Sequence, residues 1–244
     1  MRVAWRAGGV FVHLLRGLAT IVWRFPRLKQ DERDLRVQAW AAAMLRRLGV
    51  TLEVRGNPPD AGPMLLVCNH VSWLDITVLH AAHHCRFVSK ADVGRWPIVG
   101  RLAVGAGTLF VERRSRRDAM RVVHDMVRAL RQGDILMVFP EGTTGDGTAL
   151  LPFHANLLQS AISAPAPVQP VALRYSDAQG DNSRAASYVG DESLVGSVWR
   201  TLQAQGLRAV VVFGQAQQAD GRDRRGWAQD LRSEIARLGG WPVD

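Results

Sequence analysis

Hydrophobic positions fall into short apolar runs and longer stretches with helical spacing. The short runs are bounded by turn residues and predict strands at 51–55, 64–68, 86–89, 109–111, 135–139, 168–173 and 208–213. Helical spacing predicts helices over 31–48, 118–132, 194–205 and 227–238, and Ser72-x-x-Asp75 is a helix-start pattern. Strands that alternate with helices indicate an α/β domain whose mixed sheet is flanked by helices.

The first 30 residues form a basic and apolar segment of a different kind. They carry Arg and Lys but no acidic residue, and their apolar part, 8–23, is interrupted by His13 and Arg16. A helix that crosses a bilayer needs about 20 largely uncharged residues, and no small-residue cleavage site follows to indicate a signal peptide. We therefore expect a helix in the membrane interface that pairs with 31–48 as a helical hairpin. The alternative is a core helix of the domain itself.

This interpretation divides the chain into membrane-associated N-terminal helices, residues 1–48, and an α/β domain, residues 49–244. We find no internal repeat and no linker long enough for a further domain. At 244 residues, 47% hydrophobic and 22% charged, the chain is typical of a globular protein with a sizeable core.

A candidate for chemistry follows the strand predicted at 64–68. His70 lies in the loop after it, and Asp75 lies in the first turn of the next helix. Two helical residues five apart would point about 140° away from each other, so the side chains meet only if His70 stays outside the helix. That geometry suits a carboxylate that holds one imidazole nitrogen while the other accepts a proton. The alternative is that Asp75 completes a capping box and His70 is a polar loop residue.

Charge and cysteine usage narrow the class of partner. The net charge of +9 and the pI of about 11.0 indicate an anionic partner. The arginines are spread along the chain without a nucleic-acid-binding signature, which favours a membrane surface over nucleic acid. Cys68 and Cys85 form no disulfide framework and no metal-binding pair, and they favour a reducing compartment. His80, His83 and His84 lack an obvious third ligand, so we interpret them as structural rather than metal-binding.

Four blocks occur in a fixed order: Asn69-His70-x4-Asp75, Gly107-x-x-Phe110-x-x-Arg113, Phe139-Pro140-Glu141-Gly142-Thr143 and Pro170-Val171-Ala172-Leu173. Together they resemble the 1-acylglycerol-3-phosphate acyltransferase family, over roughly residues 50–215. The resemblance implies a glycerolipid acyltransferase-like fold. It also implies transfer of a fatty acyl group from acyl carrier protein or coenzyme A to the free hydroxyl of a lysophospholipid-like acceptor. Lysophosphatidic acid, which gives phosphatidic acid, is the family's acceptor.

The resemblance also implies roles for individual residues. His70 is the general base, Asp75 orients it, and Arg113 holds the acceptor's phosphate. Glu141, Gly142 and Thr143 bind substrate: Glu141 is expected to hold an acceptor hydroxyl, and backbone N–H groups nearby are expected to face the thioester oxyanion. No metal and no bound cofactor is implied. The expected location is the inner bacterial membrane, peripheral or monotopic, with the active site facing the cytoplasm.

One departure from the family pattern concerns the acceptor. Where the family often has F-K-x-G, this chain has Phe153-His154-Ala155-Asn156, which leaves room for another acceptor such as a lyso-ornithine lipid. A thioesterase or lipid hydrolase using the same His–Asp pair is an alternative, although no G-x-S-x-G elbow is present. A non-catalytic lipid-binding protein is another. Cys68 is a further candidate nucleophile, but we expect it to pack in the core, which implies direct transfer without an acyl-enzyme.

Overall fold

A mixed sheet lies at the centre of the computed structural model, which describes residues 2–112, 115–180 and 182–243. Its strands are β1 Thr51–Arg55, β2 Met64–Cys68, β3 Arg86–Lys90, β4 Leu109–Val111, β5 Ile135–Val138, β6 Val168–Ser176 and β7 Arg208–Phe213. They lie in the order β1-β7-β6-β2-β5-β3-β4. Neighbouring strands run parallel except for β6 and β7, which are antiparallel. The prediction of a mixed sheet is confirmed.

Helices cover both faces of this sheet. Their bounds are α1 Arg2–Trp23, α2 Gln30–Leu48, α3 Leu74–Ala82, α4 Ala91–Gly94, α5 Val99–Gly105, α6 Arg116–Arg131, α7 Gln159–Ser163, α8 Leu194–Gln203 and α9 Arg224–Gly239. Side chains of α1, α2, α3 and α8 pack against one face, and those of α6, α7 and α9 pack against the other. The flanking helices expected from the sequence are therefore present.

The central position of β2 in the sheet explains why its sequence is apolar without interruption. Met64, Leu66 and Cys68 point into the core on one face, whereas Leu65 and Val67 point into the core on the other. Side chains alternate between the two faces of a strand, so a central strand covered on both sides needs apolar residues throughout. The same double coverage explains the apolar run of β5.

The register between β2 and β6 determines what lies above the sheet. Cys68, the last residue of β2, pairs with Val171. Strand β6 continues to Ser176 and therefore extends past the end of β2. Leu173 and Tyr175 lie on this extension, beside the loop that follows β2. Parallel strands bring their carboxyl ends to one edge, where open α/β sheets bind ligands.

The two N-terminal helices are joined by reciprocal contacts. His13 Nε2 lies 2.9 Å from the Trp40 carbonyl oxygen, and Trp40 Nε1 donates to the His13 carbonyl at 3.2 Å. On its other side α2 contributes Met44, Leu45 and Leu48 to the core cluster that includes β2 and β6. The helix pair is present as expected, and the division at residue 48 stays a prediction.

Element bounds differ from the prediction mainly at ends that lack a hydrophobic signal. α6 begins at Arg116 and α9 at Arg224, two and three residues earlier than predicted. In both, the first turn is polar and is started by a capping side chain, Ser115 or Asp223, which hydrophobic spacing does not reveal. The sequence prediction did not include α7 or the short 3-10 turn before it.

Candidate active site

His70 and Asp75 meet at the carboxyl edge of the sheet. The His70 Nδ1 atom lies 2.7 Å from Asp75 Oδ2. The backbone N–H groups of Val71 and Ser72 donate to the same oxygen at 2.7 and 2.9 Å. Asp75 lies in the first turn of α3 and its side chain is fully buried. The carboxylate therefore holds the backbone that leads into α3 and also holds the imidazole of His70.

The other carboxylate oxygen of Asp75 meets a residue that the sequence did not single out. Tyr175 Oη lies 2.7 Å from Asp75 Oδ1. Burial, together with the charge of Asp75, raises the pKa of Tyr175 well above its usual value, so the phenol keeps its proton and donates. The sequence does place Val171, Leu173 and Tyr175 on one face of β6, because they alternate along the strand. That face can be assigned to the site only once β6 is known to lie beside β2.

The imidazole of His70 is held on its face as well as at one nitrogen. Its ring stacks on Phe139 with centroids 4.0 Å apart and an interplanar angle of 9°. Because Nδ1 faces a carboxylate oxygen, that nitrogen carries the proton of the neutral ring, and Nε2 presents its lone pair. The side chain remains 19% exposed. In this tautomer the neutral ring can accept a proton at Nε2.

Neighbouring segments fix the backbone of the histidine loop. The amide of Asn69 bridges β2 to the extension of β6: Nδ2 donates to the Leu173 carbonyl at 2.9 Å, and Oδ1 accepts from the Leu173 N–H at 2.8 Å. The N–H of Gly145 donates to the His70 carbonyl at 2.8 Å. The two hydrogen bonds of the Asn69 side chain thus replace the backbone pairing between β2 and β6, which ends with Cys68. This role explains why an amide side chain precedes the histidine.

Glu141 lies directly behind the histidine loop. Only 5% of the residue is exposed, and its carboxyl accepts hydrogen bonds from the backbone N–H groups of His70 and Leu151. The pKa of Glu141 is raised to about 8, mainly by burial. The charge of Asp75 adds to the rise, whereas these hydrogen bonds and the charge of Arg232 on α9 oppose it. Glu141 joins the loop after β2 to the loop after β5, and its predicted contact with an acceptor hydroxyl stays a prediction.

Gly142 and Thr143 follow at the rim of the site. Gly142 has φ of +72°, a conformation that favours glycine. A Cβ atom there would lie 3.2 Å from His154 Cδ2, so the residue that replaces the family's lysine borders this loop. Thr143 is exposed. The structure brings His70, Asp75, Glu141 and Gly142 together, and the substrate-binding roles of this loop stay predictions.

Arg113, the predicted phosphate-binding residue, lies outside the described residues. Strand β4 ends two residues before it, at Val111. Because β4 is parallel to β3, its carboxyl end lies at the same edge of the sheet as that of β3. The role of Arg113 stays a prediction.

Two further sequence candidates have structural explanations. Cys68 is fully buried, and burial together with the charges of Asp75 and Glu141 raises the pKa of its thiol well above the usual value. A thiol in that state is a poor nucleophile, which supports core packing. His80 is buried too, and burial lowers its pKa to about 3. The described residues contain no group of three or more side chains suited to hold a metal ion.

The fold and the site define an α/β enzyme with an oriented His–Asp pair at the carboxyl edge of a mixed sheet. The sequence profile of the Acyltransferase family matches residues 50–174. The chain belongs to this acyltransferase family, which confirms the resemblance found in the four blocks.

Curated relatives with two kinds of name match most of the chain. A 1-acyl-sn-glycerol-3-phosphate acyltransferase of Neisseria gonorrhoeae is 36% identical over 213 residues, which cover 83% of each chain. A lyso-ornithine lipid O-acyltransferase of Pseudomonas aeruginosa is 38% identical over 195 residues, which cover 74% of each chain. The crystal structure of the 1-acyl-sn-glycerophosphate acyltransferase PlsC from Thermotoga maritima shares the fold, with a TM-score of 0.66, 16% identity and 96% coverage of both chains.

Proposed function

We propose that this acyltransferase moves a fatty acyl group from acyl carrier protein or coenzyme A to the free hydroxyl of a lysophospholipid-like acceptor, with His70 as general base. The observation that carries the proposal is the 2.7 Å contact between His70 Nδ1 and Asp75 Oδ2. This contact supports the tautomer in which Nδ1 carries the proton and Nε2 has the lone pair that a general base needs.

The reaction needs one proton acceptor and no covalent intermediate on the protein. The acceptor hydroxyl gives its proton to His70 Nε2 as its oxygen attacks the thioester carbonyl. The tetrahedral intermediate then collapses, the carbon–sulfur bond breaks, and the leaving thiolate takes the proton back from the imidazolium. Asp75 stabilises the imidazolium between these steps because its carboxylate lies against Nδ1. The products are an ester and a free thiol.

The acceptor is proposed from the names of the relatives and from one side chain. Relatives named for 1-acyl-sn-glycerol-3-phosphate and for lyso-ornithine lipid match this chain at 36% and 38% identity. His154 replaces the lysine that the family often carries, and its ring borders Gly142. We propose that Arg113 binds the anionic headgroup, as a guanidinium binds phosphate or carboxylate through two parallel hydrogen bonds. The experiment that tests this function therefore compares a phosphate-bearing acceptor with an ornithine-type acceptor.

Membrane binding is proposed for the outer face of α1. This helix exposes a continuous apolar side that consists of Trp5, Phe11, Val12, Leu15, Val22 and Trp23. Its inner side carries His13, which bonds to Trp40, and Gly17, against which Trp40 packs. None of the described helices combines the length and apolarity needed to cross a bilayer. An apolar face on a basic segment suits a helix that lies in the interface of an anionic membrane.

Acyl carrier protein and coenzyme A thioesters are made in the cytoplasm, so an enzyme that uses them to acylate a lipid is expected at the inner membrane with its site facing the cytoplasm. We propose that location together with the lipid acceptor. Its support is the apolar face of α1 and the excess of positive charge, +9 at pH 7.

The decisive experiment follows the fate of a labelled acyl group. The purified protein is incubated with acyl carrier protein or coenzyme A thioesters and with lysophosphatidic acid, a lyso-ornithine lipid or no acceptor. We expect a diacylated lipid from wild-type protein and a loss of at least about a hundred-fold in His70→Ala, the lower range for removal of a general base. The thermal unfolding of His70→Ala should match that of the wild-type protein. Near-normal turnover in His70→Ala would refute the base, and free fatty acid as the main product would indicate a thioesterase.

A further inference from the structure

The Asp75 carboxylate is held at both of its oxygens, by different parts of the chain. Oδ2 accepts from the His70 ring and from the N–H groups of Val71 and Ser72. Oδ1 accepts from the hydroxyl of Tyr175, which stands a hundred residues later, at 2.7 Å. A carboxylate held at one oxygen can pivot about that point, whereas anchors at both oxygens fix its plane. The plane determines the direction in which Oδ2 offers its lone pair to His70 Nδ1.

We propose that Tyr175 is a positioning residue for acyl transfer. Its hydroxyl fixes the plane of the Asp75 carboxylate and, through Asp75, the orientation of the His70 imidazole. This inference rests on the proposed function, in which His70 is the base.

Burial makes the Tyr175 hydroxyl difficult to replace. Asp75 is fully buried and Tyr175 is only 4% exposed. Solvent water therefore does not reach Oδ1 to substitute for the phenol. A buried carboxylate oxygen without a donor is costly, because the lost hydrogen bond is not repaid by solvation.

The ring and the hydroxyl of Tyr175 have separable tasks. The ring belongs to the core cluster that contains Cys68 and Leu173, where phenylalanine fills the same space. The hydroxyl contacts Asp75. A tyrosine that served only packing would therefore tolerate replacement by phenylalanine with no change in catalysis, whereas a positioning tyrosine would not.

The test compares Tyr175→Phe with Tyr188→Phe, which alters the chain's one other tyrosine. We expect kcat of Tyr175→Phe to fall by roughly tenfold at pH 7, with KM for donor and acceptor unchanged, because the residue touches neither substrate. Tyr188→Phe should keep wild-type kinetics. Rates are normalised to folded protein, measured by thermal unfolding of each variant.

Two readouts separate positioning from a structural role. Without the phenol, more of the negative charge on Asp75 stabilises the imidazolium, so the acid limb of the pH profile of kcat should move to higher pH by up to about one unit. The second readout is a double-mutant cycle with Asp75→Ala, which removes the group that the Tyr175 hydroxyl contacts. If Tyr175 acts through Asp75, the double variant should lose much less than the product of the two single losses.

A spectroscopic measurement tests the contact without turnover. Uniform 3-fluorotyrosine labels two positions, and Tyr188→Phe identifies the remaining ¹⁹F resonance as that of Tyr175. We expect Asp75→Asn to shift this resonance and to leave the Tyr188 resonance in place. An unshifted Tyr175 resonance would overturn the contact.

The kinetic outcomes distinguish this inference from the proposed function. Turnover in His70→Ala would overturn the base and the role of Tyr175 with it. An inactive His70→Ala combined with wild-type kcat and pH profile in Tyr175→Phe would overturn the role of Tyr175 alone. Strictly multiplicative losses in the cycle would overturn it as well, since they would mean that Tyr175 does not act through Asp75.

Discussion

Replacing Asp75 with asparagine isolates the charge of the His–Asp pair from its geometry. Asparagine offers one acceptor oxygen and one amide nitrogen. With the oxygen at the present Oδ2 position, it accepts from the His70 ring and from the Val71 and Ser72 N–H groups, now at 2.7, 2.7 and 2.9 Å. The amide nitrogen then faces the hydroxyl of Tyr175, which can rotate and accept. In the flipped orientation the amide nitrogen would face three N–H donors.

The flipped orientation is strongly disfavoured. Each buried N–H group left without an acceptor costs about 1–3 kcal/mol. The two backbone donors alone therefore hold the amide oxygen toward His70, and Nδ1 keeps its proton. What Asp75→Asn removes is the negative charge next to the imidazolium. Hydrogen bonds to charged groups are worth about 1.5–3 kcal/mol and neutral ones about 0.5–1.5 kcal/mol. The difference of about 1–2 kcal/mol corresponds to a fall in kcat of about five- to thirty-fold.

The assay is initial-rate acyl transfer at saturating donor and acceptor from pH 5 to 9. We expect the acid limb of the Asp75→Asn profile to move to lower pH, because the imidazolium has lost its counter-charge. A serine-protease triad loses about 10⁴-fold when the matching Asp→Asn change puts the imidazole in the wrong tautomer. A loss of that size here, with the protein folded, would refute the claim that the backbone donors of the histidine loop orient residue 75.

Two further predictions concern stability and membrane binding. The pKa of Glu141 is about 8 in the folded protein and about 4.5 in the unfolded chain. The free energy of unfolding should therefore fall as the pH rises between these two values. Glu141→Gln should abolish that fall, which amounts to about 3–5 kcal/mol. The measurement is urea denaturation of both proteins across this pH range. A difference in stability between variant and wild type that does not change with pH would contradict the burial argument. Phe11→Asp with Leu15→Asp should release the protein from anionic vesicles in a sedimentation assay. The control change Met120→Asp, at a side chain that is more exposed (73%, against 55% for Phe11 and 45% for Leu15) and lies on α6 across the sheet, should not release it. Equal release by the control and by either single change, Phe11→Asp or Leu15→Asp, would contradict docking through α1.

The parts of the fold that could be predicted were those that local chemistry determines. β2 and β5 are buried on both faces, so their apolar runs are unmistakable. His70 and Asp75 stand five residues apart across a strand-to-helix junction, and one local geometry brings them together. Short polar helices such as α7 lack periodicity and depend on tertiary contacts.

Residues that complete the site from far along the chain could not be predicted in this way. Tyr175 reaches Asp75 only because β6 pairs with β2 in one register and then continues past it. Asn69 bonds to Leu173 for the same reason. Register is a property of two strands together, so the sequence pattern of either strand alone does not predict these contacts.

The two buried carboxyls of the site differ in environment, and the difference assigns their tasks. Asp75 receives hydrogen bonds from His70, two backbone N–H groups and Tyr175, a set of donors that suits a carboxylate anion. Burial raises the pKa of Glu141 to about 8, and its oxygens engage the backbone of His70 and Leu151. Pairs of carboxyls with different environments take different roles in enzymes. We therefore interpret Glu141 as a support for the backbone that carries the histidine. Under the proposed function the acceptor's proton goes to His70, whose charge Asp75 is placed to balance.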